Sequence, residues 1–190
     1  MSSSANLRDE MVKVGKISWE LGLNTLRSGN ISVLLPNRDI LITKTGKSLR
    51  ALEPHEDLTV VSDLESVRGE ASCEFYVHRG IYKLAGCTQG AILHCHPPNG
   101  IAASFMHEER IPPSYNEAQD VLGATVIVES RNRERLGEDP TIVGTALGMN
   151  KIVVVRGHGT FALGETLDQS LYLTNLLEKS CQVMFLKSTQ

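Results

Sequence analysis

The chain has 190 residues, of which 41% are hydrophobic and 22% are charged, as in an ordinary single globular domain. A formal net charge of −3 excludes a general attraction to nucleic acid or to an anionic membrane. An anionic ligand therefore needs a local site. No apolar run is long enough to span a membrane, and residues 1–10 carry no signal-peptide core. The four cysteines form no CxxC pair, which indicates free thiols and a cytoplasmic chain.

The predicted elements mix helices and short strands within one domain, residues 1–190. Helices are predicted at residues 7–21, 72–84, 99–106, 134–149 (with a break near Pro140) and 167–186. Strands are predicted at residues 31–35, 39–43, 58–62, 90–96, 124–128 and 152–155. Short connections between several strands, without strict βαβ alternation, favour an α/β fold. We predict three layers, α/β/α, with a central mixed and mainly antiparallel sheet.

The segment Leu93-His94-Cys95-His96-Pro97 is the strongest chemical signal in the chain. It follows a short apolar run that is typical of a buried strand. Alternate side chains of a strand share a face, so His94 and His96 point the same way and Cys95 points to the opposite face. Two imidazoles on one face of a strand provide half of a metal site.

A third histidine, His158, follows the apolar strand 152–155 and lies between Gly157 and Gly159. Glycines on both sides allow close approach of the backbone, so His158 could complete a set of three with His94 and His96. Three histidines leave one position of a zinc ion open for water or substrate, as in catalytic sites. A single histidine is more often structural; the spacing of the three predicts a metal site.

Glu74 lies near the start of the predicted helix 72–84. A carboxylate in the first helical turn is favoured by the helix dipole, which explains an isolated glutamate without any function. The functional alternative is an acid/base group beside the metal. His78 is four residues further along the same helical face, where it either orients Glu74 or is solvated.

Three segments of small and polar residues could hold an anion. Residues 28–30 and 45–48 contain glycine turns with hydroxyl or amide groups, and Ser72 with the Cys73 amide lies at a predicted helix N-terminus. Such residues also form ordinary turns, and no GxxxxGK[ST] loop is present. A fourth segment, residues 111–117, carries Tyr115 and Glu117. These two are either exposed loop residues or proton donors that reach a site, including one in a neighbouring subunit.

The motifs taken together resemble the class II aldolase/adducin family, over about residues 7–186. The matching segments are Gly29-Asn30-Ile31-Ser32, Ile42-Thr43-Lys44-Thr45-Gly46, Ser72-Cys73-Glu74, His94-Cys95-His96 and Arg156-Gly157-His158-Gly159. The resemblance implies one domain of that family's fold and a homotetramer with sites at subunit interfaces. It also implies one Zn²⁺ per subunit, held by His94, His96 and His158, with Glu74 as the acid/base.

The resemblance further implies a lyase of carbohydrate metabolism that acts on a small phosphorylated sugar. The expected reaction is retro-aldol cleavage of a ketose 1-phosphate, L-fuculose 1-phosphate or a related deoxyketose 1-phosphate, to dihydroxyacetone phosphate and an aldehyde. Zinc then acts as a Lewis acid, and Tyr115 or Glu117 is the second proton-transfer group. The implied phosphate-binding residues are Gly29, Asn30, Thr45, Gly46, Ser72 and Cys73.

The resemblance leaves alternatives open. Cys73 stands where the aldolase pattern has a second serine, so one phosphate ligand would be a weaker thiol. A methylthioribulose-1-phosphate dehydratase of the same fold keeps the same zinc ligands, whereas the pentulose-phosphate epimerases carry an aspartate in place of Glu74. A non-enzymatic adducin-like interaction module is the remote alternative, because such modules lose the metal histidines and this chain keeps all three.

Overall fold

A computed structural model describes residues 4–62, 69–129 and 139–188, with side chains from residue 6 onward. Its helices are α1 (Ser4–Glu20), α2 (Phe75–Leu84), α3 (Pro98–Met106), α4 (Asn116–Val121), α5 (Pro140–Leu147) and α6 (Leu167–Ser188). Its strands are β1 (Asn30–Leu34), β2 (Ile40–Thr43), β3 (Leu58–Val61), β4 (Gly90–Cys95), β5 (Arg110–Ile111), β6 (Thr125–Val128), β7 (Ile152–Val155) and β8 (Gly159–Gly164). A 3₁₀ turn spans Leu49–Ala51.

The strands of the described chain form one eight-stranded sheet in the order β3-β2-β1-β4-β8-β7-β6-β5. Every neighbouring pair is antiparallel except β6 and β7, which are parallel. The prediction of a mixed and mainly antiparallel sheet is confirmed. The strand β4 lies near the centre, between β1 and β8, so the histidine segment ends a strand that is supported on both sides.

Helices cover both faces of the sheet, which confirms the three-layer prediction. Alternation along the strands divides the core: Ile92 and Phe161 face α2 and α5, whereas Leu93 and Ala162 face the opposite side. That side is covered by α1, α3 and α6. His94 is two residues from Ile92 and therefore lies on the α2 side of the sheet.

The structure contains elements that the sequence pattern did not indicate, namely β5, α4 and β8. The strand β8 follows His158 directly, so His158 lies in a tight turn between two antiparallel strands. The helix α2 begins at Phe75, three residues later than expected, because Ser72 and Glu74 form a turn before it. Residues 134–138 of the predicted helix 134–149 lie outside the described residues. Among those described, no helix has both the length and the apolarity that crossing a membrane requires.

Candidate metal centre

The three predicted histidines meet at one end of the sheet. His94 is the penultimate residue of β4, His96 follows the end of that strand directly, and His158 lies in the β7–β8 turn. Their ring centroids are 4.8–4.9 Å apart in all three pairs. Gly159 permits this approach, because a Cβ atom there would lie 2.9 Å from His96 Cδ2 and 3.2 Å from His94 Cε1.

The hydrogen bonding of His94 fixes which nitrogen is free. Its Nδ1–H donates to the Thr160 carbonyl oxygen at 2.8 Å, so Nε2 carries a lone pair. Phe161 stacks on the ring at a centroid distance of 4.2 Å and holds its plane. Burial, with a smaller contribution from the neighbouring His158, lowers the pKa of His94 to about 3, so the ring is neutral at pH 7. Burial likewise lowers the pKa of His96 to about 3.

Glu74 brings a carboxylate to the same place from the start of α2. The residue is 5% exposed and precedes the helix directly. Its Oε2 atom lies 3.1 Å from His94 Nε2, and its Oε1 atom lies 3.7 Å from His158 Nε2. The Asn30 amide donates to Oε2 at 2.7 Å and orients the carboxylate. Asn30 itself is positioned by its pairing with His94 across β1 and β4.

The donor set fits a divalent metal ion. His94 Nε2 faces both Glu74 Oε2 and His96 Nε2, the latter at 3.0 Å, and each of these atoms can offer a lone pair. Such a convergence is unfavourable without a cation or a shared proton. One nitrogen from each histidine lies within 4.8 Å of the others, whereas nitrogens bound to one tetrahedral zinc ion are about 3.3 Å apart, so the rings have to close slightly around an ion. Three histidines would leave an open position, and Glu74 is close enough to contact the same ion.

Cys95 lies on the opposite face, as the strand alternation predicts. Its side chain is fully buried in the core cluster beneath α1, and its Sγ atom accepts a hydrogen bond from Asn24 Nδ2 at 3.1 Å. Burial raises the pKa of the thiol to about 12, so the group stays protonated. Cys95 is therefore a packing residue and contributes nothing to the metal centre.

The residues expected to bind phosphate come from three turns that adjoin Glu74. Ser72 N–H donates to the Thr43 carbonyl, and a bridge between Lys44 and Ala71 joins the Thr45-Gly46 turn to the Ser72-Cys73 segment. The Gly29-Asn30 segment lies against β4. A Cβ atom added at Gly29 would lie only 2.7 Å from the His94 carbonyl oxygen. Two polar groups already have partners: Thr45 Oγ1 donates to the Ala71 carbonyl, and Ser72 Oγ accepts from Glu74 N–H.

The lysines of this region are paired with carboxylates. Lys44 lies 2.9 Å from Glu70, and Lys47 lies 2.7 Å from Asp57. The hydrogen bond with Asp57 raises the pKa of Lys47 above its ordinary value. Each of the two cations therefore already faces a carboxylate, and an anion at these turns would compete with that carboxylate.

Tyr115 and Glu117 are not brought to the histidines of the same chain. Both lie at the start of α4, which packs against α6 on the face of the sheet opposite to α2. Glu117 accepts a hydrogen bond from Tyr172 Oη at 2.8 Å. Burial and the nearby Glu117 charge raise the pKa of Tyr115. A role for either residue at the metal centre therefore requires a neighbouring subunit.

Of two supporting features, the sequence left the first open between two alternatives and gave no indication of the second. His78 is fully buried, so the solvated alternative is wrong; its Nδ1 atom lies 2.7 Å from Ser32 Oγ. Glu178 of α6 accepts hydrogen bonds from the backbone N–H groups of Asn99 and Gly100 at the start of α3. The alternation of polar residues at 30 and 32 in an otherwise apolar strand was a signal for the first feature. The second depends on contacts between distant segments and has no local signal.

Known families and solved structures include clear relatives of this chain. Residues 9–185 match the model of the Class II Aldolase and Adducin N-terminal domain. An L-fuculose-1-phosphate aldolase structure from Thermus thermophilus superposes with a TM-score of 0.88 at 31% identity, covering 96% of this chain and 94% of that one. A 3-oxo-tetronate 4-phosphate decarboxylase of Escherichia coli strain K12 is 25% identical over 95% of this chain and 87% of its own length.

A third relative is a methylthioribulose-1-phosphate dehydratase of Gluconacetobacter diazotrophicus, 28% identical over 85% of this chain and 84% of its own length. The family match covers almost the whole chain, and the two enzymes and the aldolase structure are matched along most of their own lengths. The predicted family, fold and enzymatic nature are thereby confirmed. The chain belongs to the class II aldolase and adducin N-terminal domain family and is a metal-dependent enzyme of the class II aldolase type.

Proposed function

We propose that this protein is a zinc-dependent lyase that cleaves a ketose 1-phosphate to dihydroxyacetone phosphate and an aldehyde. L-Fuculose 1-phosphate or a related deoxyketose 1-phosphate is the expected substrate. The observation that carries the proposal is the position of the Glu74 carboxylate, 3.1 Å from His94 Nε2 in a buried cluster of three histidines. The similarity to the Thermus aldolase over nearly the full chain supports it.

In this proposal His94, His96 and His158 hold the metal through neutral rings. When bound, the ion supplies Lewis acidity toward the carbonyl and hydroxyl oxygens of the substrate. Cleavage of the carbon–carbon bond leaves an electron pair on the carbon beside the carbonyl. Glu74 is placed to deliver a proton to that carbon, because its carboxylate is oriented by Asn30 and kept from bulk water.

The phosphate group is assigned to the turns around Glu74. Their proposed ligands are Gly29, Asn30, Thr45, Gly46, Ser72 and Cys73. A phosphate held there fixes the distance between the reacting carbons and the metal, which converts binding energy into orientation. During cleavage the hydroxyl that becomes the aldehyde carbonyl loses its proton, and removal of that proton is assigned to Tyr115 or Glu117 of a neighbouring subunit. This assignment requires an oligomer, and we propose a homotetramer with the sites at subunit interfaces.

A second candidate is decarboxylation of a phosphorylated 3-oxo acid. The decarboxylase relatives support it, and so does the placement of Tyr115 and Glu117 at the start of a helix that packs on α6, on the face of the sheet opposite to α2. Loss of carbon dioxide leaves the same kind of electron pair next to a carbonyl but needs no proton transfer at an aldehyde oxygen. His94, His96, His158 and Glu74 would then suffice within one subunit.

One experiment separates the candidates. Purified protein with a measured metal content is incubated with a panel of ketose 1-phosphates, with methylthioribulose 1-phosphate and with 3-oxo-tetronate 4-phosphate. Dihydroxyacetone phosphate formed together with an equimolar aldehyde from a ketose 1-phosphate supports the aldolase. Dihydroxyacetone phosphate formed together with carbon dioxide from 3-oxo-tetronate 4-phosphate indicates the decarboxylase, and a dehydrated product indicates the dehydratase. A preparation without stoichiometric divalent metal, or a panel without any turnover, would overturn the proposal. His94→Ala, which removes one metal ligand, is the negative control.

A further inference from the structure

A second polar cluster lies between α2 and β1, directly behind Glu74. Glu74, His78 and Tyr82 are four residues apart and share one helical face. Asn30 and Ser32 share the opposing face of β1. Asn30 Nδ2 donates to Glu74 at 2.7 Å, and Ser32 Oγ lies 2.7 Å from His78 Nδ1 and 2.8 Å from Tyr82 Oη. We call these five residues the polar ladder.

Burial of the polar ladder in the core is energetically unfavourable. None of its five residues is more than 6% exposed. Within the described residues, His78 Nε2 and Asn30 Oδ1 are buried without a hydrogen-bond partner. Burying polar groups that remain unpaired is unfavourable, and apolar residues at the same positions would pack without this cost. Packing alone would not favour the ladder, and its contact with Glu74 indicates a role in the site.

Ser32 Oγ lies between Tyr82 Oη and His78 Nδ1 and has one hydrogen to donate. Burial raises the pKa of Tyr82, so the phenol keeps its hydrogen and can donate it to Ser32 Oγ. If Tyr82 donates to Ser32, Ser32 donates in turn to His78 Nδ1, and His78 carries its hydrogen on Nε2. Burial lowers the pKa of His78 to about 3. The negative charge of Glu74 acts in the opposite direction and raises the pKa of His78, but by less.

We propose that His78 is a positioning residue that, anchored by Ser32 and Tyr82, holds the Glu74 carboxylate beside His94. The inference rests on the proposed acid/base role of Glu74. Glu74 and His78 lie one helical turn apart at the start of α2. The contact of His78 with Ser32 of β1 therefore fixes where the helix starts along its axis and how it is rotated about that axis. Asn30 then fixes the carboxylate itself, with Oε2 at 3.1 Å from His94 Nε2.

The kinetic test compares His78→Phe with Val77→Ala. The first keeps a ring but removes both nitrogens; the second removes methyl groups from a buried neighbour on the same helix that faces the core. We expect His78→Phe to keep its metal and lower kcat about 10- to 100-fold, with KM within about twofold, because a displaced catalytic group costs this much. Val77→Ala is expected to lose stability and keep kcat. Unchanged kcat in His78→Phe, or an equal loss in Val77→Ala, would overturn the proposal.

A spectroscopic test needs no substrate. The site is loaded with Co²⁺, whose visible spectrum reports the groups around the ion, in wild type, Glu74→Gln, His78→Phe and Val77→Ala. We expect the His78→Phe spectrum to move toward that of Glu74→Gln and the Val77→Ala spectrum to match wild type. A His78→Phe spectrum identical to wild type would refute the positioning role even if the substrate proposal failed. Should His78→Phe not fold, Ser32→Ala removes the same anchor and serves instead.

The hydrogen position is tested separately by ¹⁵N NMR of the His78 ring in the wild-type protein, with His78→Phe identifying the signals. We expect the hydrogen on Nε2 over the neutral pH range. A hydrogen on Nδ1 would overturn the direction of the ladder, because Ser32 could not then donate to His78.

Discussion

The start of α3 depends on one buried carboxylate of α6. The helix begins at Pro98, two residues after His96. Glu178 caps its N-terminus, although it is 79 residues from Asn99 and 78 residues from Gly100 in the chain. Oε1 accepts from Asn99 N at 3.2 Å and from Asn99 Nδ2 at 2.7 Å, and Oε2 accepts from Gly100 N at 2.9 Å. Because Glu178 is only 6% exposed, water cannot replace these contacts. We therefore predict that Glu178→Gln destabilises both the fold and the His96 segment.

The magnitude follows from the contacts that glutamine can keep. Its single oxygen can still accept from Asn99, but its amide nitrogen then faces the Gly100 N–H. The substitution loses one charge-assisted hydrogen bond, worth about 1.5–3 kcal/mol, and leaves a buried donor unpaired. Part of the first loss is already contained in the second, so we expect the free energy of unfolding to fall by about 2–4 kcal/mol. Metal affinity falls as well, because His96 is held by the turn that the cap fixes.

Urea unfolding of metal-free protein measures the stability loss, and competition with a chelator measures metal affinity. Asp168→Asn is the control: it removes one negative charge from an exposed position in the first turn of α6 and is expected to cost less than about 1 kcal/mol. A Glu178→Gln protein within about 0.5 kcal/mol of wild type would refute the reasoning, because that cost is typical of an ordinary surface change.

Three further predictions concern the metal centre and the polar ladder. Glu74→Gln should keep stoichiometric metal but lower kcat by a factor of about 10²–10⁴; unchanged turnover removes Glu74 from its assigned role. Gly159→Ala should weaken metal binding about 10- to 100-fold in a chelator competition, because its Cβ would lie 2.9 Å from His96 Cδ2 and closer still to the Cys95 carbonyl oxygen; unchanged affinity contradicts this. His78, with a folded-state pKa of about 3 against an ordinary 6.5, stays neutral in the native state while the unfolded state gains a proton below pH 6.5. Its stabilising contribution is thus present above pH 6.5 and lost as the pH falls toward 3. In urea unfolding, His78→Phe should reduce the slope of the free energy of unfolding against pH in this range by about 1.4 kcal/mol per pH unit; equal slopes in the two proteins would argue against it.

The sequence was most informative where the relevant contacts are local. The i,i+2 spacing of His94 and His96 on a buried strand predicts their common face, and the structure places both rings in one cluster with His158. Glycine on both sides of His158 suggested a close approach, and Gly159 provides it. The sheet type followed from the short connections between apolar segments. Each of these features depends on neighbours within a few residues.

The sequence was least informative where distant segments meet. The short strand β8 was missed because Gly159 and Gly164 at its ends resemble turn residues, although its pairing with β4 and β7 determines the strand. Glu178 appears as one more charge on an amphipathic helix, and only the packing of α6 on α3 shows its function as a cap. Tyr115 and Glu117 look like candidate proton donors in the sequence, but the sheet separates their helix from α2.

The site is assembled from two parts that different side chains support. The nitrogens come from β4 and the β7–β8 turn, which are braced by Gly159 and by the Glu178 cap, whereas the carboxylate comes from α2, which is braced by the polar ladder on β1. Changes to the first part should therefore lower metal content and turnover together. Changes to the second should lower turnover while metal content stays constant. A His78→Phe protein that lost metal in proportion to its activity would show that the two parts are coupled, and that α2 contributes to the metal site itself.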